Sequence, residues 1–304
     1  MAGLEGKTAI VTGASSGIGA AVARALATEG ARVAGGARRS ERLETEIKLE
    51  LDVTDPASCE RFVEAAVEEL GGLDILVNNA GLGLGRDPFD ASTEDDEEVV
   101  LETNVHGLLR MTRLCLPHLR DGGHIVNMGS IAGRQPYENA AVYVASKYAV
   151  RGFTYALRED LLGRPIHLTT VEPGLVETDF SLVRFRGDED KASAVYANVE
   201  PVRPEDVAEC VVFAVSRPSH VNIDEIVVKA YPGPMHYTLC ARPASRRGIS
   251  SEPVPAEGSR SRQGRLSPHR IGRNLRGFFG SVSRNRRSAQ PAVDRLVALV
   301  AASG

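Results

Sequence analysis

Seven short apolar runs, separated by segments of helical length, recur through the first 230 residues, and this alternation restricts the fold more than any other feature. The runs are TAIVTG (8–13), ARVAGGA (31–37), KLELDV (48–53), LDILVNN (73–79), GHIVNMGS (123–130), IHLTTVEPG (166–174) and EIVVKA (225–230). They are rich in Val, Ile and Leu and mostly lack in–out alternation, as befits parallel strands covered on both faces. Residues 18–29 follow a Gly-rich turn and stop before Gly30, a residue suited to a helix C-terminus. Residues 55–70 open with Asp55 as N-cap and Pro56 at the first helical position, and 204–216 open with Pro204 and two acids. Repetition of this kind predicts an α/β protein with a doubly wound parallel sheet of about seven strands flanked by helices.

Two stretches break the rhythm. Residues 180–203, which begin FSLVRFRGDEDKA, are too long for a tight connection and are expected to form a lid or binding loop. From Tyr231 onward Pro, Ser, Gly and Arg dominate, with too little apolar surface to offset chain entropy. The chain is therefore read as a folded domain over 1–230 and a largely disordered tail over 231–304, in which only RLVALVAA (295–302) suits a short helix. Charge divides similarly. Residues 241–304 carry thirteen Arg, no Lys and three acids, a net of +10; the whole chain is −4, so residues 1–240 carry about −14.

An acidic body argues against broad nucleic-acid binding by the folded part. The basic tail permits salt-sensitive contact with RNA or acidic membranes, but it shows few aromatics and no finger or heptad spacing. Cys59, Cys115, Cys210 and Cys240 are far apart, without metal-ligand or C-x-x-C spacing, and are read as reduced thiols; no metal site is expected. A basic leader with an apolar core is missing, as is any run of about 18 apolar residues, so the expectation is a cytoplasmic protein with no membrane segment.

TGASSGIG (12–19) follows the first strand and opens the first helix, with glycines at Gly13, Gly17 and Gly19. Glycine lets the backbone approach a pyrophosphate, which sits on the helix N-terminus. The second strand ends GARRS, with Ala37 where an acid would otherwise accept bonds from a ribose 2′-hydroxyl, followed by Arg38 and Arg39. Arginine suits a 2′-phosphate instead, which favours NADP over NAD. LDVTD (51–55) and NNAG (78–81) close the third and fourth strands, at the sheet edge where ligands of such folds bind. Asp52 is a candidate acceptor for the adenine amino group and Asn78 for a ribose contact; either, and Asn79 above all, also reads as a plain turn residue.

In AAVYVASKYAVRG (140–152), Tyr143 precedes Lys147 by one helical turn, so the two share a face. A neighbouring cation favours the phenolate, which would draw the phenol below its ordinary value of about 10 and fit it for proton transfer. Such pairs also arise by chance. Ser130 ends the fifth strand thirteen residues earlier, and Asn104 lies in ETNVHGLL.

Ser130, Tyr143 and Lys147, together with TGASSGIG and NNAG, resemble the short-chain dehydrogenase/reductase family over roughly residues 5–230. The resemblance implies a Rossmann-type domain, a dimer or tetramer, and an oxidoreductase acting on the CH–OH group of a small molecule. It implies that Tyr143 is the general acid/base, that Lys147 tunes it and bonds the nicotinamide ribose, that Ser130 positions the substrate oxygen, and that Asn104 holds a water linking Lys147 to solvent. It further implies cofactor contacts from Ser15, Ser16 and Ile18, from Val53, Asn79, Ala80 and Gly81, and from Pro173, Gly174, Val176 and Thr178 in PGLVET.

Residues 174–192, MGSIAGRQPY (128–137) and RPSHVNIDEIVV (217–228) are similar to the NADP-dependent 3-hydroxy acid dehydrogenases, which act on serine, allo-threonine and related acids. A substrate carboxylate wants a bidentate guanidinium, and Arg134, Arg184 and Arg186 are the candidates. Members of that subgroup end near residue 232 here, so the added tail leaves the quaternary arrangement open. Rival expectations are a reductase of another aldehyde or ketone and a catalytically idle NADP-sensing protein, against which the complete Ser130–Tyr143–Lys147 set argues.

Overall fold

A computed structural model describes residues 3–197 and 199–231. Its seven strands are β1 (Thr8–Thr12), β2 (Arg32–Ala37), β3 (Ile47–Glu50), β4 (Leu73–Asn78), β5 (Leu119–Met128), β6 (His167–Pro173) and β7 (Glu225–Val228). All pair in parallel in the order β3-β2-β1-β4-β5-β6-β7. The order reverses between β1 and β4, and there the strand ends leave the crevice in which doubly wound sheets hold ligands.

Helices α1 (Gly17–Thr28), α2 (Pro56–Leu70), α3 (Glu94–Leu101), α4 (Leu108–Cys115), α5 (Ala141–Asp160), α6 (Phe180–Arg184), α7 (Glu189–Ala194) and α8 (Pro204–Val215) cover the two faces. On one face Val22 and Leu26 of α1 and Val207 and Val211 of α8 pack on Val11, Val77 and Val126. On the other, Phe62 of α2, Met111 of α4 and Leu157 of α5 pack on Ile10, Leu76, Ile125 and Leu168. Burial on both sides explains why the strands read as continuous apolar runs. Asp55 caps α2 by accepting from the Ala57 amide at 3.0 Å, with Pro56 following as expected. Gly30, at φ 96°, follows the end of α1.

Three expectations need correction. Strand β3 stops at Glu50, because Asp52 turns the chain by accepting from both the amide and hydroxyl of Thr54. Strand β5 starts earlier, at Leu119, with a register shift against β4. Residues 180–203 are not a plain loop: they form α6 and α7, the latter capped by Asp188 on the Lys191 amide. Among the described residues Cys59, Cys115 and Cys210 are free thiols, and no helix is long and apolar enough to cross a membrane. Cys240, the Arg-rich segment and residues 295–302 lie outside the described residues.

Candidate active site

A cleft of about 310 Å³ opens where the sheet order reverses. Its first wall is the turn into α1, lined by Gly13, Ser15, Ser16, Gly17, Ile18 and Gly19. A Cβ on Gly19 would lie 2.2 Å from the Gly13 carbonyl oxygen, so only glycine lets the turn close against the helix. Asn79 holds this turn to the end of β4: its side-chain amide donates to the Thr12 and Gly13 carbonyls at 3.0 and 3.3 Å. The result is a helix N-terminus with an exposed approach, which suits a phosphate.

Arg38 and Arg39 line the same cleft just beyond β2, with Asp52 and Val53 opposite. Burial works against ionisation of Asp52, yet the Thr54 bonds and the charge of Arg38 hold its carboxyl below the ordinary value. Two guanidinium groups with no carboxylate at the end of β2 fit a phosphorylated ribose better than a bare diol. Ala80, Gly81, Pro173, Gly174, Val176 and Thr178 complete the cofactor side. The residues present therefore fit NADP. Asn78 does not reach the cleft. Its amide donates to Thr112 and Asn127 inside the core, both at 2.9 Å, which rules out the ribose contact.

At the other end stand Ser130, Tyr143, Lys147 and Arg184. Ser130 caps a short turn by accepting from the Ala132 amide at 3.1 Å, and its hydroxyl also hydrogen-bonds Tyr143. Tyr143 is partly exposed along the cleft, but the surrounding protein pushes its phenol up to about 12. Tyr137 adds to the rise; the Ser130 bond and the Arg184 guanidinium oppose it. Burial draws the Lys147 ammonium down to about 8, and it donates to the Met128 carbonyl at 3.0 Å. Desolvation thus outweighs the charges that favour the phenolate, and Arg184 joins Lys147 as a cation near the ring.

Asn104 sits in a π-helical turn (Glu102–Gly107) between α3 and α4. Its amide hydrogens go to the Leu82 carbonyl and the Ser146 hydroxyl, at 2.7 and 3.0 Å, and its oxygen accepts from the Leu82 amide at 2.8 Å. The side chain fixes the β4 exit against α5; any water bridge to Lys147 must run from an oxygen of this residue. Arg134 does not line the cleft. It pairs with Glu172 and Glu225 on β6 and β7, because a buried Glu172 demands a cation. Arg186 likewise turns outward onto Asp96 of α3. Of the three candidate arginines, Arg184 alone lines the cleft, and one of its guanidinium nitrogens is buried without a partner.

Residues 7–188 match the short chain dehydrogenase family. This chain belongs to that family. Among the relatives of this dehydrogenase, an NADP-dependent 3-hydroxy acid dehydrogenase of Schizosaccharomyces pombe is 42% identical over 253 residues, 77% of this chain and 96% of the relative. The NADP-dependent 3-hydroxy acid dehydrogenase of Escherichia coli strain K12 is 42% identical over 240 residues, 74% and 96% of the two chains. A serine dehydrogenase solved in its closed form with NADP+ superposes with a TM-score of 0.72 at 40% identity, covering 75% of this chain and 96% of the other. NADP is thus the cofactor of proteins similar to this dehydrogenase along nearly their whole length.

Sequence reasoning missed Arg86, Tyr137 and Phe180, which also line the cleft. Arg86 was open to discovery: it lies five residues beyond NNAG, at the carboxyl end of β4, where ligands of this fold gather. Tyr137 and Phe180 carried no such signal, since their approach to the site depends on the turns before α5 and α6.

Proposed function

We propose that this dehydrogenase interconverts a small 3-hydroxy acid and the corresponding carbonyl compound with NADP(H). The observation that carries it is the placement of Arg184 beside Tyr143, 5.0 Å from guanidinium carbon to ring centroid, in a cleft that also holds Ser130 and Lys147. A guanidinium there receives a carboxylate while the phenol and the Ser130 hydroxyl receive the oxygen of the reacting carbon.

The nicotinamide, when bound, accepts or gives the hydride. The protein does the rest. Tyr143 takes the hydroxyl proton as the alcohol is oxidised and returns it to the carbonyl oxygen in reduction. Ser130 orients that oxygen. Lys147 lies 5.9 Å from the Tyr143 ring centroid, supplies positive charge as the phenolate forms, and reaches toward the cofactor side. Arg38 and Arg39 select the phosphorylated ribose.

An NADP(H) absorbance assay against 3-hydroxy acids and simple aldehydes, with Tyr143→Phe as the control, tests this. Turnover of hydroxy acids is expected, and a drop on the order of a hundredfold or more in the variant. A variant as active as the parent removes Tyr143 from the chemistry, and exclusive turnover of neutral aldehydes removes the acid. Assembly with further copies of the chain is part of the same proposal, supported by Val99 and Leu101 of α3 and Tyr148 and Tyr155 of α5, which are left exposed. Light scattering that returns a monomer rejects it.

A further inference from the structure

Building on the 3-hydroxy acid reading, we propose that Arg86 and Arg184 form a paired guanidinium clamp that selects hydroxy acids of net negative charge and disfavours zwitterions such as serine. The two arginines come from distant parts of the chain, the exit of β4 and the end of α6. They are tied together at Gly85, whose amide donates to the Arg184 carbonyl at 3.0 Å and whose carbonyl accepts from Arg184 Nε at 3.2 Å. Both guanidinium groups lie against the Tyr137 ring, 5.5 and 5.6 Å from its centre. In both, Nη2 is buried and has no hydrogen-bond partner. Arg184 as a whole is 7% exposed.

Burying guanidinium donors without acceptors is costly, and a carboxylate with two oxygens is the group that satisfies them. The clamp also lies within reach of the chemistry. A Cβ on Gly83 would meet Tyr143 Cδ2 at 3.2 Å and Arg184 Cζ at 3.6 Å, so the lack of a side chain there keeps the arginine close to the phenol.

Serine carries its ammonium on the carbon next to the carboxylate. Held in this clamp, that ammonium stands beside two guanidinium groups, with the Lys147 ammonium also on the cleft wall. The carboxylates lining the cleft are Asp52, which lies beside Arg38 and is bonded by Thr54, and Asp179 at the start of α6. Among the described residues that line this end of the cleft, the carboxylate of Asp179 stands against the cations of Arg86, Arg184 and Lys147, with the Asp87 carboxylate near Gly85 outside the lining, so the end keeps a net positive charge. Like-charge repulsion at such separations changes relative affinity by a factor on the order of ten. Arg86 is then a specificity-determining residue, since it supplies the second positive charge.

3-Hydroxypropanoate and L-serine share a carbon skeleton and differ only by the ammonium, so the ratio of their kcat/KM values with NADP+ isolates its effect. The parent is expected to favour 3-hydroxypropanoate by about tenfold or more. Arg86→Met is expected to shrink that ratio about tenfold, Arg86→Lys to retain it, and Arg184→Met to weaken both substrates. A parent that prefers serine overturns the proposal; so does an Arg86→Met variant in which both substrates change by the same factor. If the parent turns over neither acid but reduces neutral aldehydes, the 3-hydroxy acid reading itself falls, and the clamp with it.

Discussion

The guanidinium carbon of Arg184 lies 5.0 Å from the centre of the Tyr143 ring, nearer than the Lys147 ammonium at 5.9 Å. The arginine also favours the phenolate, although burial prevails and the phenol stands raised to about 12 overall. On the proposed function, one side chain would both meet the substrate acid and tune the proton acceptor.

Removing that charge raises the phenol further. On the proposed mechanism oxidation of the alcohol needs the phenolate, so the rising limb of kcat against pH in Arg184→Gln is expected to move to higher pH, with oxidation slowed at any fixed pH below it. Reduction needs the protonated phenol and is expected to keep its rate near neutral pH. Full pH profiles of kcat at saturating substrate, in both directions, check this. A limb that stays in place shows that Arg184 binds without tuning.

Lys147 is a cost to the fold. Burial lowers its ammonium from 10.5 to about 8, a difference worth about 3 kcal/mol as an upper bound at neutral pH. Lys147→Met is therefore expected to melt at the same temperature as the parent or higher at pH 7, while losing most of its activity. The pH dependence has a definite sign. Between pH 8 and 10.5 the unfolded chain binds a proton that the folded protein has released, so the parent gains stability relative to the variant as pH rises through that window. Denaturant titrations of both proteins at pH 7, 9 and 10 measure it. A variant much less stable than the parent at pH 7 shows that the bond to the Met128 carbonyl outweighs desolvation.

Much of this was legible in the chain because the evidence was local. Continuous Val/Ile/Leu runs report strands buried on two faces, and β1, β4 and β6 fall within a residue or two of the apolar runs that predict them. Asp55–Pro56 marks the start of α2 because cap and first-turn chemistry act within three residues. What escaped depends on contacts across the fold. Spacing places Tyr143 and Lys147 on one face, but the sign of the phenol shift depends on how much protein encloses it and on an arginine forty-one positions away. Arg134 lies four residues after Ser130, yet its role is set by Glu172 and Glu225, which only the pairing of β5, β6 and β7 brings beside it.

That network gives the last prediction. Glu172 is 1% exposed and its carboxylate is met by Arg134 and, at 3.6 Å, by Arg151 Nε. Arg134→Ala leaves the buried carboxylate with the longer contact alone. The expected loss is about 2 kcal/mol, below the 3–5 kcal/mol range for a fully buried pair because Arg134 is part-exposed and Arg151 remains. Catalysis by the folded variant is expected to stay within about twofold of the parent, since Arg134 does not line the cleft. Urea unfolding beside steady-state kinetics separates the two effects. A KM for hydroxy acids raised tenfold or more with stability unchanged would return Arg134 to the substrate site; lowered stability with unchanged KM confirms it as the counter-charge that lets Glu172 lie inside the sheet.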